Sequence, residues 1–295
     1  MILIPDDIQT ALDNDSALIV SVSGGKDSDC MALEIARLRQ QYNWQGRFVL
    51  LHCDVGRMEW KQSIHHCEQL AQKLGAEFVV VRHHDKDLID GIWARYDSRP
   101  DAPPFPSNAY RWCTAGWKRN PADKWIRNNC PEGAVCAMGL RREESVSRSK
   151  KLPCEVRNGA TAPTKNRHVW NWHPILNYRL ADVWHTIGYT LHELRSLQVT
   201  PEHLDAMGLT LDQYADQVQF KAHPAYLAGN ERVSCALCVL ASKNDLRNGA
   251  IYQPDTYKQL VQIEVATGYT FQQDVSLLHL FDEDNQPKAK QLSLF

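Results

Sequence analysis

The chain has 295 residues, 43% of them apolar and 23% charged, with a formal net charge of −2. That length suits one large α/β domain, or one domain with an appendage, of ordinary globular composition. No apolar run approaches the ~20 residues of a membrane span, and no overall basic field advertises nucleic acid, which leaves only a local basic groove open.

The first seven residues lack a basic segment and soon turn acidic, so no secretory signal is expected and the compartment is read as the cytoplasm. Residues 17–23 form a short apolar run that stops at two glycines, the pattern of a buried parallel strand. A helix is expected over about 27–41, a second strand over 48–54, a helix near 59–74 and a third strand over 78–82. This alternation predicts a doubly wound, mainly parallel sheet. The proline-rich stretch 97–110 reads as a loop near the site, followed by a helix near 117–128 and a fourth strand over 134–139. The polar, basic stretch 141–168 has few apolar anchors and reads as a mobile active-site loop, able to grip ATP or nucleic acid phosphates. A fifth strand over 169–175 and a helix near 180–188 close the sheet. The expected organisation is a five-stranded α/β nucleotide-binding domain over 1–190, a helical region over 191–281, and a flexible linker with a tail over 282–295.

The junction of the first strand and helix carries Ser23-Gly24-Gly25-Lys26-Asp27-Ser28, with Ser21 just before it. Glycines let backbone N–H groups approach an anion, and the helix N-terminus adds its partial positive charge. Lys26 supplies a full charge, Ser23 and Ser28 supply hydroxyls, and Asp27 can hold Mg²⁺ or cap the helix. Asp54 and Gly56 end the second strand and Gly139 ends the fourth, where a nucleotide sits in such sheets. Arg141 and Arg142 follow, suited to bidentate pairing with phosphate. Lys26, Asp27, Arg141 and Arg142 are the candidate catalytic residues.

The phosphate loop resembles the signature of the PP-loop ATP pyrophosphatases. That resemblance implies cleavage of ATP between the α and β phosphates, adenylation of a substrate oxygen, and displacement of AMP by sulfur or nitrogen. Further segments resemble the phosphoadenosine phosphosulfate (PAPS) reductase-like branch: 51–58 (Leu-His-Cys-Asp-Val-Gly-Arg-Met), 111–121 (Arg-Trp-Cys-Thr-Ala-Gly-Trp-Lys-Arg-Asn-Pro), 139–148, and Trp172-His173-Pro174-Ile175 with Asp182-Val183-Trp184. They cover roughly residues 17–190 in order. Two departures from the true reductases matter. The chain lacks their C-terminal Glu-Cys-Gly cysteine, and it keeps Lys26 and Asp27 in the loop. Both favour ATP activation over PAPS reduction.

There are nine cysteines, and reduced thiols or metal ligands are expected of them rather than disulfides. By resemblance to cluster-bearing reductase-like proteins, Cys235 and Cys238 join Cys113 as ligands of an iron–sulfur cluster, [4Fe–4S] by preference, with zinc as the alternative. The fourth ligand is open among Cys130, Cys136 and Cys154, or absent, leaving an iron to bind sulfide. Cys30, Cys53 and Cys67 read as core residues. The tail Gln291-Leu292-Ser293-Leu294-Phe295 resembles the pentapeptide with which bacterial proteins dock on the DNA polymerase sliding clamp. Leu292, Leu294 and Phe295 can fill an apolar groove and Gln291 can bond its rim.

The resulting expectation is an iron–sulfur-dependent, sulfurtransferase-like enzyme that adenylates nucleic acid, DNA rather than tRNA, with a sulfur-donor protein as a further partner. DNA phosphorothioation enzymes are the nearest analogy. A sulfonucleotide reductase, a tRNA thiolation enzyme and a non-catalytic DNA-associated adaptor are the rivals.

Overall fold

The computed structural model describes residues 2–282; the clamp-like pentapeptide 291–295 lies outside the described residues. In chain order the elements are α1 (Asp6–Asp13), β1 (Ala17–Val22), α2 (Lys26–Tyr42), β2 (Phe48–Asp54), α3 (Ser63–Leu74), β3 (Glu77–Arg82), α4 (Leu88–Ser98), α5 (Asn120–Asn129) and β4 (Gly133–Ala137). Then come α6 (Val146–Ser149), β5 (Cys154–Val156), β6 (His168–Trp172), α7 (Leu180–Ile187), α8 (Leu191–Leu197), α9 (Pro201–Met207), α10 (Leu211–Gln217), α11 (Lys243–Tyr252) and α12 (Pro254–Thr267). The strands make one sheet in the order β3-β2-β1-β4-β6-β5. All neighbours are parallel except β5 with β6. The doubly wound fold expected from the sequence is present, with six strands rather than five.

The additional strand, β5, lies inside the stretch that reads as a mobile loop and corrects that reading. Three residues are too few to show a period-two pattern. They become a strand because the edge of β6 offers unpaired backbone groups. Several basic side chains of the stretch are committed to internal partners. Arg157 pairs with Asp123 at 2.6 Å, Arg167 donates to the Ala160 and Arg127 carbonyls, and Arg148 pairs with Glu144.

Both sheet faces are covered. Leu18, Val20 and Val22 of β1 pack with Met31 and Ile35 of α2 and with Trp184 of α7. Ile19 faces the other way, toward Ile126 of α5. Burial on both faces is why these strands read as continuous apolar runs. A further cluster joins Ile92 of α4 to Leu246, Ile263 and Phe271. Ala222, Tyr226 and Val233 reach the main core directly. No helix among the described residues is long and apolar enough to cross a membrane.

Candidate functional site

Strand order reverses at β1, which has β2 on one side and β4 on the other. The crevice at the carboxyl ends of such strands is where an open α/β sheet binds ligands. The loops after β1, β2 and β4 meet there.

The loop after β1 is braced by its own last residue. Ser28 Oγ donates to the Gly25 carbonyl at 2.8 Å and accepts from the Ser23 N–H at 3.2 Å. Gly24 takes a left-handed φ of +75°. Ser21 lies half-buried within β1, opposite Leu51. After β4, Gly139 closes on the start of α2. A Cβ at that position would stand 2.9 Å from the Asp27 carbonyl oxygen, so only glycine permits the approach.

That approach sets a buried charge cluster. Lys26 and Arg141 are each 4% exposed, and both hold Asp27. The Lys26 ammonium is 3.3 Å from Oδ2, and Arg141 Nε is 2.5 Å from Oδ1. Lys26 Nζ also donates to the Glu231 carbonyl at 3.0 Å, and Arg141 also pairs with Glu143. Burial works against the charge on Arg141, but Asp27, Glu144 and Glu143 together raise its pKa. The Arg141 guanidinium therefore stays charged beside the N-terminus of α2.

Arg142 does not join them. Arg141 has extended backbone angles, so successive side chains diverge. The Arg142 guanidinium donates to Asn177 Oδ1 at 2.5 Å and to the Lys151 carbonyl at 3.3 Å. Asp54 closes its own turn, accepting from the Gly56 N–H at 2.7 Å and pairing with Arg82 at 3.0 Å.

The phosphate loop has a roof that its motif does not encode. The Tyr226 hydroxyl accepts from the Lys26 N–H at 2.8 Å. The Val233 carbonyl lies so close that a Cβ on Gly25 would meet it at 2.8 Å. His223 is buried alongside. Its Nδ1 accepts from the Ala225 N–H at 3.2 Å and its Nε2 faces Ser63 Oγ at 3.3 Å. Burial pushes the His223 pKa down to about 3, and His66 adds to the shift. His66 is itself pulled down by burial, but the Asp29 carboxylate at 2.7 Å outweighs this and raises it. Residues 223–232 stand out in the sequence beside the C-x-x-C, yet no local signal says which strand end they cover.

Cys235 follows Val233 by two positions, so the roof runs straight into the cysteine pair. Cys113 precedes the π-helical turn Thr114–Arg119, a wide turn frequent at functional positions. Cys235 feels the charges of Cys238 and Cys113, and Cys113 that of Cys238; the fold brings the three together. Burial pushes the Cys235 thiol up to about 12, and the neighbouring Lys118 ammonium works against that shift.

Among the described residues, no three His, Cys, Asp or Glu side chains gather closely enough for one metal ion. Tetrahedral zinc, with Zn–S of about 2.3 Å, needs sulfurs roughly 3.8 Å apart. The cysteine set is too open for that. Three thiols near enough to feel one another's charge, with the Lys118 ammonium beside Cys235, are the donor set available to an iron–sulfur cluster.

The expected candidates for a fourth ligand are elsewhere. Cys130 and Cys136 belong to the core on one sheet face and Cys154 packs against the other. Strand and helix positions commit them to packing. Cys53, which reads as a core residue, is nearer: its thiol donates to the Lys118 carbonyl at 3.4 Å. A polar chain missed by motif reading also reaches this region. His52 contacts the Val22 carbonyl at 3.1 Å and Glu59 at 2.9 Å, and Cys235 feels the Glu59 charge.

Residues 17–198 match the phosphoadenosine phosphosulfate reductase domain. An uncharacterized protein of Methanocaldococcus jannaschii is 24% identical over 135 residues, which span 45% of this chain and only 25% of that protein. The U34-tRNA thiolase NcsA from Methanococcus maripaludis, solved with its [4Fe-4S] cluster, superposes with a TM-score of 0.41 and 14% identity, over 90% of this chain and 76% of that one.

Proposed function

This chain belongs to the phosphoadenosine phosphosulfate reductase domain family of sulfur-related, nucleotide-utilising enzymes, and we propose that it cleaves ATP to AMP and pyrophosphate in order to activate nucleic acid for sulfur insertion. One observation carries this reading. The segment that roofs the phosphate loop at Gly25 through Val233 continues within two residues to Cys235. Phosphate chemistry and thiol chemistry thus share one crevice.

Each residue has a part in this reaction. Ser23, Gly24, Gly25 and the N-terminus of α2 receive phosphate oxygens. The acceptor oxygen attacks the α-phosphorus; the new O–P bond forms as the bond to pyrophosphate breaks. Lys26 and Arg141 take up the charge that grows on the departing pyrophosphate. Asp27 positions both cations, and its carboxylate is the group available to Mg²⁺. A sulfur nucleophile then displaces AMP. Cys113, Cys235 and Cys238 would hold a [4Fe–4S] cluster, which when bound supplies an iron able to carry sulfide for that displacement. Lys118 offsets the thiolate charge.

DNA is favoured over tRNA as acceptor because of the clamp-like tail, and a sulfur-donor protein completes the set of partners. The test is ATP–pyrophosphate exchange. The parent should exchange label, and Lys26→Ala should lose about 100-fold or more; equal rates reject the reading. Mass spectrometry of nucleosides from DNA and tRNA, with and without the gene, identifies the acceptor. Deletion of residues 291–295 should abolish sliding-clamp binding.

A further inference from the structure

We propose that a cavity beside the cysteine set binds a nucleobase, presented by an unpaired nucleotide of the acceptor strand. The cavity encloses about 790 Å³ between residues 100–108, 239–241 and 267–275, a size that suits a small organic ligand. It is a built space. Phe105 and Phe271, 5% and 2% exposed, meet edge to face at 5.3 Å and give it an apolar wall. The Tyr269 hydroxyl donates to the Pro100 carbonyl at 3.3 Å, tying the first segment to the third. Gln272 Nε2 donates to the Val239 and Ala241 carbonyls at 3.1 and 3.0 Å, tying the third to the second.

Charge selects the ligand class. Among the described residues, no lysine or arginine lines the cavity, whereas Asp101 does. A phosphate placed inside would meet the Asp101 carboxylate and, among the described lining residues, no cation. A flat, uncharged ring with N–H donors suits aromatic walls, amides and carboxylates. The cation stands just outside. Arg111 donates to Oδ1 of Asn108, a lining residue, at 2.9 Å. Beyond it the Arg95 guanidinium lies 5.0 Å from the Tyr110 ring and 5.7 Å from Trp112. Base inside and backbone phosphate on the arginine rim is the division this arrangement favours. Val239, a lining residue, follows Cys238 directly, which puts the cavity wall next to the cysteine pair in the chain.

The identity of the ligand as an acceptor rests on the proposed sulfur insertion, but its binding does not require ATP. The full chain, without ATP, is titrated with adenosine, guanosine, cytidine and thymidine by ligand-observed NMR. At least one nucleoside should bind below about 5 mM, and inorganic phosphate should not displace it. Ala241→Trp and, from the opposite wall, Thr270→Trp fill the cavity and should weaken binding about tenfold or more, with ATP binding retained. Single-stranded DNA or RNA pentamers should bind more tightly than the nucleoside, and the tighter of the two names the acceptor. No binding by any nucleoside, displacement by phosphate, or undiminished binding in a folded tryptophan variant overturns the proposal. Loss of exchange activity with nucleoside binding intact would instead defeat the ATP reading and leave this site standing.

Discussion

The phosphate loop and the cysteine set share one edge of the sheet but are assembled in opposite ways. The loop is written in six consecutive residues, and Ser28 braces it from within. The cysteines come from a π-helical turn before α5 and from a segment beyond α10. Only the packing of the C-terminal region on α4 and the loop after β2 brings them together; the Ala236 N–H donates to the Met58 carbonyl at 2.8 Å. The difference teaches that the loop's shape is local while its surroundings are not. Its charges are balanced by Arg141 and its first helical N–H is covered by Tyr226.

The comparison can be broken most directly at Asp27. If the loop were self-contained, Asp27→Ala would cost little. If the buried cluster matters, Lys26 and Arg141 lose their shared carboxylate, and the expected loss is roughly 3 kcal/mol or more, read from the urea midpoint. Tyr226→Phe tests the roof. It leaves the buried Lys26 N–H without its acceptor and should cost about 1–3 kcal/mol. An unchanged midpoint would show that the roof merely rests on the loop.

The paired histidines beneath the roof give a pH test. The folded value of His223 is about 3, against roughly 6.5 unfolded. Between these values the unfolded chain binds the extra proton. The contribution of neutral His223 is therefore full above about pH 6.5 and lost as pH falls, by up to about 1.4 kcal/mol per unit. His66 runs the other way. Its folded value is raised, so its contribution is full below about pH 6.5 and lost as pH climbs through the folded value. His223→Asn retains an acceptor for the Ala225 N–H and should flatten the acid limb alone in urea titrations from about pH 4.5 to 8. An equally steep acid limb would place the sensitivity elsewhere.

The smallest effect is expected from the cysteines outside the set. Cys130→Ala should leave iron content unchanged after anaerobic purification, whereas Cys235→Ser should lose it together with absorbance near ~400 nm. Iron lost equally from both would refute the three-cysteine assignment. A colourless parent holding stoichiometric zinc would refute the cluster itself.

What could be read in advance followed from burial pattern. β1, β2, β4 and β6 are covered on both faces and announce themselves as apolar runs. β5 gives no such signal because an edge strand of three residues has no period to display. α4 also escapes a pattern reading, since Gly91 interrupts its interior. The structure gives the reason: a Cβ there would fall 2.4 Å from the Trp117 ring. Among the site residues, Lys26 and Asp27 were legible as part of a strand–glycine–helix junction. The divergence of Arg142 from Arg141 was not, because adjacent arginines look equivalent until the backbone angles separate them.

By itself, then, the sequence determined the sheet, the phosphate loop and the family, because each is encoded in short-range pattern: apolar runs, glycines beside a helix start, and motifs in fixed order. Tertiary structure alone decided what covers the loop, which arginine reaches it and where the neighbouring cavity opens. Those outcomes depend on contacts between residues far apart in the chain, such as Tyr226 with Lys26, and no local pattern specifies which distant groups will share a buried space.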